Sequence, residues 1–462
     1  MPALISHTDP AAVFAYDQGQ AITVAQYLAA VHALARQLPE HGHVLNLCSN
    51  RYHFAVVMGA ALLRQHPMLL PSTRTPAMLS QLGRQFKGFY AVADEVSTDS
   101  GMPCLHFATA LAAALTIPSD FAVPQIDAKQ IAAYIFTSGS TGAPIPHAKS
   151  WGKLVLSAKA EGEKVRQYLV STATRTESFT VTGTVPAQHM FGFESTVLMP
   201  MQTSAALDAS HPFFPADIDL ALRQTPAPHV LITTPFHLRT LLDAQVTPPQ
   251  IALMISATAP LSPQLAKQAE LTLGAPLLEI YGCTEAGQLA TRRTTQSQMW
   301  ETYSDISIAP KVTAQGETHF FTEGGHIEGL IELGDVLELE SSRRFKLIGR
   351  HADMINVAGK RSSLAFLNHL LNSINGVIDG VFYLPESTEP DLNSKVQRLS
   401  AFVVAPTLNE AAILAGLREH VDPLFLPRPV YLLDQLPRNE TGKLPQQTLA
   451  ALAKKLKAQA HD

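Results

Sequence analysis

The sequence predicts an α/β fold: a large N-terminal domain of parallel-rich sheets flanked by helices, with a β-rich subdomain, followed by a small α+β C-terminal domain. Three features carry that expectation. Between Ala21 and Tyr281, apolar runs of strand length take turns with segments of helical spacing, which implies parallel strands with helices on both faces. Past Thr318 such runs follow one another without helices between them. Beyond Gly349 a compact unit of about a hundred residues follows, the size of a small separate domain. The expected division is therefore 1–348 and 349–462.

In order, Ala21 to Leu38 reads as a helix, Val44 to Cys48 as a strand and Tyr52 to Leu63 as a helix that is apolar enough to be buried. Met68 to Pro71, Pro76 to Phe86 and Phe89 to Ala93 repeat the pattern, and Asp94 to Pro103 is a polar connection. After a strand opening at Ile131 come a helix from Trp151 to Val170, a strand from Phe179 to Pro186 and a turn over 187–192. Strands follow at 205–207, 229–233, 251–255 and 277–281, separated by helices over 216–224 and 236–242 and one that Pro263 starts. Phe320-Phe321, 327–331 and 336–339 are expected as β strands. The C-terminal unit should hold helices at 364–371, 410–420 and 446–459, with strands near 377–383, 401–404 and 430.

The chemistry starts where the Ile131 strand opens into Thr137-Ser138-Gly139-Ser140-Thr141-Gly142. Glycines let successive N–H groups turn inward, and hydroxyls add rotatable donors, so the loop suits a phosphate. It is not the loop of P-loop NTPases: the Gly-Lys pairs at 152–153, 359–360 and 442–443 precede Leu154, Arg361 and Leu444 rather than Ser or Thr. No G-x-G-x-x-G opens a helix after a strand. Ligands of parallel sheets gather beyond the carboxyl ends of the strands. There lie the small residues Thr258-Ala259-Pro260, which let a flat ring approach backbone, and Tyr281-Gly282-Cys283-Thr284-Glu285, whose carboxylate suits magnesium shared with phosphate oxygens.

Composition narrows the class further. A formal charge of −5, with both signs interspersed, advertises no nucleic acid and no anionic lipid surface. Three widely spaced cysteines, Cys48, Cys104 and Cys283, argue for reduced thiols and a cytoplasmic setting rather than a disulfide framework. The longest apolar run, Phe54 to Leu63, is too short to span a bilayer, and the N-terminus lacks a signal-peptide pattern. His41-Gly42-His43 lacks further ligands at metal spacing and reads as loop.

Taken together, TSGSTG (137–142), YGCTE (281–285), Gly334-Asp335 followed by GRHADMINVAGKR (349–361), and LPRNETGK (436–443) resemble the motifs of the adenylate-forming superfamily of acyl-CoA synthetases, peptide-synthetase adenylation domains and luciferase. The resemblance covers essentially the whole chain in order. It implies a mobile C-terminal lid and two half-reactions: a carboxylate attacks the α-phosphate of ATP, and a phosphopantetheine thiol of CoA or a carrier protein then takes the acyl group. It implies that residues 137–142 hold the β- and γ-phosphates, Glu285 the Mg²⁺ ion and Asp335 the ribose with Arg350 beside it. Tyr281 would lie on adenine, whose edge the Thr258-Ala259-Pro260 backbone would read. Lys443 would bridge carboxylate and α-phosphate, His189 and Phe191 would face the acid, and Gly359 would line the thiol tunnel.

Two departures from the pattern stand out. The lysine that usually follows the phosphate-loop proline is replaced, after Pro144, by Ile145, with Lys149 a possible substitute, and the hinge carries Ala352 beside Asp353. The short N-terminal domain is similar to that of small ligases of aryl polyene pathways, which implies an aromatic or medium-sized acid and an acyl carrier protein as acceptor. The alternative is a catalytically silent nucleotide- or carboxylate-binding module.

Overall fold

The computed structural model describes all residues except 72–74, 96–101, 113–121, 139–143, 172–177, 314–315, 351–353, 358–359, 386–397, 420, 439–443, 445 and 460–462. Two large sheets organise it. In the eleven-stranded sheet the spatial order is 335–339, 344–350, 300–302, 287–292, 277–283, 251–256, 229–233, 180–183, 206–208, 13–17 and 20–23. The six strands from 277–283 across to 13–17 run parallel, and both flanks are antiparallel. The six-stranded sheet runs 104–106, 89–93, 43–46, 68–70, 131–138, 144–150, parallel except for its last pair.

The parallel strands are apolar throughout because both faces are covered: His229–Thr233 is buried at every position, and Ile251–Ser256 at all but one. Arg51–Leu63, apolar on nearly all sides, lies within the same core as Val24–Gln37. Helix starts follow local chemistry. Thr23 and Gln26 form a reciprocal capping box, Asn50, Thr75, Thr234 and Ser262 cap other helices, and proline occupies the first turn after Thr75, Phe214, Thr234 and Ser262.

Three expectations shift. Residues 21–23, expected as helix, belong to a strand, Gln20–Thr23, that pairs with Val13–Asp17. The segment expected as a turn over 187–192 runs on into continuous helix, Met190–Gly192, a π-helical stretch Phe193–Leu198 and Met199–Thr203. The strand expected at 327–331 begins only at Ile331, because residues 324–329 turn, with Gly329 at φ +78°.

Three antiparallel strands, Ile306–Val312, Thr318–Gly324 and Ile331–Leu333, make the β-rich addition. From Met354 onward come a hairpin (354–357 with 360–363), a three-stranded sheet (379–383, 400–404, 430–432) and helices Leu364–Asn372, Glu410–Arg418 and Gln446–Gln459. Their apolar clusters draw only on residues from Ile355 on, among the described residues. No helix among the described residues is long and apolar enough to cross a membrane.

Candidate active site

Because the central strands run parallel, the segments after 183, 233, 256 and 283 emerge along one edge. The hairpin Leu277–Cys283/Gly287–Arg292 reaches furthest in chemistry. Its register slips between Tyr281 and Gly282, bringing the backbones so close that a Cβ on Gly282 would fall 2.3 Å from Gly287 O. Only glycine fits there, and residues 284–286 form the turn beyond the Cys283↔Gly287 pair.

The phosphate-loop strand, Ile131–Ser138, pairs with Pro144–Ser150 in the register Thr137↔Ile145. Thr137 Oγ1 and His147 Nε2 share a hydrogen bond at 2.9 Å, and the same ring nitrogen lies 3.9 Å from Glu285 Oε1. Loop hydroxyl and carboxylate, 148 positions apart in sequence, thus meet through one histidine. The Glu285 side chain is 39% exposed, so its carboxylate stays accessible. A carboxylate linked to the Thr137 hydroxyl through one histidine suits a hard cation shared with phosphate. Burial lowers the His147 pKa, opposed by Glu285 and reinforced by Lys149, which favours a neutral ring.

Lys149 is buried, and its Nζ donates to the Glu285 backbone carbonyl at 2.6 Å. Burial lowers its pKa, while Glu194, Cys283, Glu328 and Glu285 pull it back up. Glu194, on the π-helical stretch, accepts from Ser157 Oγ at 2.8 Å, and burial raises its pKa to about 7. Behind it Gln288 is a hub. Its Nε2 donates to Glu161 Oε2 at 2.8 Å and Ser195 Oγ at 3.2 Å, while Tyr303 O–H donates to its Oε1 at 2.9 Å and His326 Nε2 to its carbonyl at 2.6 Å.

Farther along the same edge the expected adenine and ribose residues touch: Tyr281 O–H donates to Asp335 Oδ2 at 2.6 Å, both residues buried. Trp300 and Phe345 pack against the Tyr281 ring at 5.6 Å. Arg350 lies opposite Asp335 in the antiparallel ladder. Thr258 has φ +78°, a left-handed conformation that a β-branched residue holds only under constraint, and one that clusters at ligand sites. On the acid side, His189 caps its helix by accepting the Phe191 N–H at Nδ1, 3.3 Å. Phe191 packs in one cluster with Ala257 and Ile280, the neighbours of Thr258 and Tyr281.

Gly139, Ser140, Thr141, Gly142, Ala352, Gly359 and Lys443 lie outside the described residues. His147, Glu161, Glu194 and Gln288 were not singled out from the sequence. The signal for His147 was available, since 145, 147 and 149 must share one face of a strand. A glutamate buried under other elements carries no such signature.

The AMP-binding enzyme family model matches residues 80–313, just over half of the chain, and the chain belongs to that family. Among curated relatives, a 4-coumarate–CoA ligase from Halorhodospira halophila is 28% identical over 67% of this chain and 73% of its own length. Among solved structures, ATP-bound MatB from Rhodopseudomonas palustris matches with TM-score 0.78 at 18% identity, over 98% of this chain and 97% of that one. The o-succinylbenzoate CoA synthetase from Bacillus subtilis in complex with ATP and magnesium matches with TM-score 0.76 at 17% identity, over 95% and 96%.

Proposed function

We propose that this AMP-forming acid–thiol ligase takes an aromatic or medium-sized carboxylic acid and delivers it to the phosphopantetheine thiol of an acyl carrier protein. The observation that carries the reading is the meeting of Thr137 and His147, from the six-stranded sheet, with Glu285, at the edge of the eleven-stranded sheet that also holds the Tyr281–Asp335 pair. One end of this edge suits a triphosphate and the other a nucleoside.

In the first half-reaction a carboxylate oxygen bonds to the α-phosphorus of ATP as the bond to the β-phosphate oxygen breaks, and pyrophosphate leaves with that electron pair. Two anions approach each other, so catalysis is positioning and charge neutralisation. Glu285, with the hydroxyls of Thr137 and Thr284, would hold Mg²⁺, which when bound neutralises the departing pyrophosphate. Asp335, oriented by the Tyr281 hydroxyl, accepts from the ribose hydroxyls with Arg350 beside it, and the backbone at Thr258, Ala259 and Pro260 meets the adenine edge beside Gly282. His189 and Phe191 close on the acid. In our reading residues 349–462 are a mobile lid that brings Lys443 to the carboxylate and α-phosphate, then rotates to admit the thiol past Gly359. In the second half-reaction the thiol sulfur bonds to the acyl carbon, AMP leaves, and the thiol proton goes to solvent.

The test is ATP–pyrophosphate exchange across aromatic, short-chain and long-chain acids, followed by loading of CoA and of a carrier protein with the best acid. The expected result is exchange stimulated by aromatic or medium-sized acids and efficient carrier loading. No exchange with any acid would leave a binding module instead, and transfer to CoA alone would remove the carrier-protein assignment.

A further inference from the structure

The strand Pro144–Ser150 does more than close the hairpin behind the phosphate loop. Positions 145, 147 and 149 share one face. Ile145, where the family's lysine would stand, is 50% exposed and brings no charge. The charge sits four residues on: Lys149 is only 4% exposed and spends its ammonium group on the Glu285 carbonyl. An ammonium group withdrawn from water costs several kcal/mol unless it is matched. Glu194, 2% exposed, is among the charges that match it.

Glu194 is held in turn. Ser157 donates to it at 2.8 Å. Gly287, at φ +83°, lies directly over it: a Cβ there would sit 3.0 Å from Glu194 Oε1. The turn 285–288 is therefore held at the Glu285 carbonyl by Lys149 and backed at Gly287 by the Glu194 carboxyl. The two supports belong to the phosphate-loop hairpin and to the helix that follows His189 and Phe191.

We propose that Lys149 and Glu194 are positioning residues that fix the 285–288 turn, so that Glu285 presents its carboxylate to metal-bound triphosphate. Lys149 on this account acts through the backbone of Glu285 and touches no phosphate. The inference rests on the proposed role of Glu285 in holding magnesium.

Calorimetric affinities of the full-length protein for Mg·ATP, for ATP in excess chelator and for AMP, with melting temperature as a folding check, test it. For Lys149→Met, loss of a charge-assisted hydrogen bond should weaken Mg·ATP about tenfold or more and leave metal-free ATP and AMP within about twofold. Glu194→Gln should show the same selectivity at about threefold or more, and the double variant should be no weaker than Lys149→Met alone. Equal loss for metal-free ATP would mean that the lysine meets phosphate directly. Equal loss for AMP would mean general disruption, and either outcome, or no change, overturns the inference. If Lys149→Met does not fold, the nearly isosteric Glu194→Gln decides by the same pattern. Glu285→Gln separates the two levels: if it shows no selective Mg·ATP loss, the role of Glu285 itself fails. If it does while Lys149→Met does not, only this inference fails.

Discussion

Glu161→Gln should stabilise the protein above neutral pH and leave it unchanged in acid. Glu161 is 1% exposed, in the middle of Trp151–Ser171, and its Oε2 accepts from Gln288 Nε2, while its Oε1 is buried without a hydrogen-bond partner. Burial raises its pKa from 4.5 to about 7, with Glu194 adding to the shift and hydrogen bonds from Gln288 and Ser195 opposing it. Between those values the unfolded chain has lost the proton that the folded chain keeps. Stability therefore falls as pH rises through that window and levels off above it. The full difference is worth roughly 3 kcal/mol. Glutamine mimics the protonated side chain: its oxygen accepts from Gln288, and its amide fills the unpartnered position much as the carboxyl O–H does. Denaturant unfolding followed by tryptophan fluorescence reports the right region, because both tryptophans, Trp151 and Trp300, are buried in it. The expected gain over wild type is near zero at pH 4.5 and approaches about 3 kcal/mol by pH 8. A gain that does not change with pH, or a variant less stable at pH 8, would refute the burial argument.

Other variants probe the site and its supports. On the proposed lid mechanism, in which only one position uses Lys443, Lys443→Ala should abolish ATP–pyrophosphate exchange yet spare thiol transfer from supplied acyl-adenylate; equal loss of both contradicts this. Tyr281→Phe removes the 2.6 Å bond to Asp335 and should raise the KM for ATP about tenfold with little change in kcat, so an unaltered KM would dissociate this pair from nucleotide binding. Arg51 is wholly buried and donates to Thr196 Oγ1 and to the carbonyls of Gly183, Val185 and Ser210. Arg51→Met strands those acceptors and nearby Asp208, and should cost about 3–5 kcal/mol in denaturant unfolding; a loss below about 1 kcal/mol would show that they find other partners.

The parallel strands were legible because burial on both faces makes each an unbroken apolar run, as in His229–Thr233 and Ile251–Ser256. The strand Pro144–Ser150 was hidden by its own composition. Two prolines and three polar residues in seven suit only a sheet edge, where missing N–H donors face no partner strand, and it does occupy the edge of the six-stranded sheet. The helical run after Met190 was masked by Gly192 and Pro200, which read locally as breakers. Tyr281, Glu285 and Asp335 could be named from motifs, but the bond between Tyr281 and Asp335 spans 54 positions and depends on sheet order. Glu161 and Glu194 were illegible for a stronger reason: charged residues within helical segments belong by default on the surface, and only elements distant in sequence cover these two.

The hairpin 277–292 explains why the site tolerates so many buried polar groups. It carries three residues, each anchored by different elements. Tyr281 is tied to the strand Asp335–Leu339, Glu285 through its carbonyl to the phosphate-loop hairpin, and Gln288 to Trp151–Ser171, the π-helical stretch and the loop bearing His326. Tilting the hairpin would break bonds in all three directions at once, and inside a protein an unpaired polar group costs about 1–3 kcal/mol apiece. In the proposed nucleotide site, a rigid hairpin would fix the nucleoside and triphosphate ends of one bound nucleotide relative to each other, leaving motion to whatever closes over them. Conformational change belongs to the C-terminal unit on this account, and amide hydrogen exchange with and without nucleotide should show 277–292 among the most protected segments in both states.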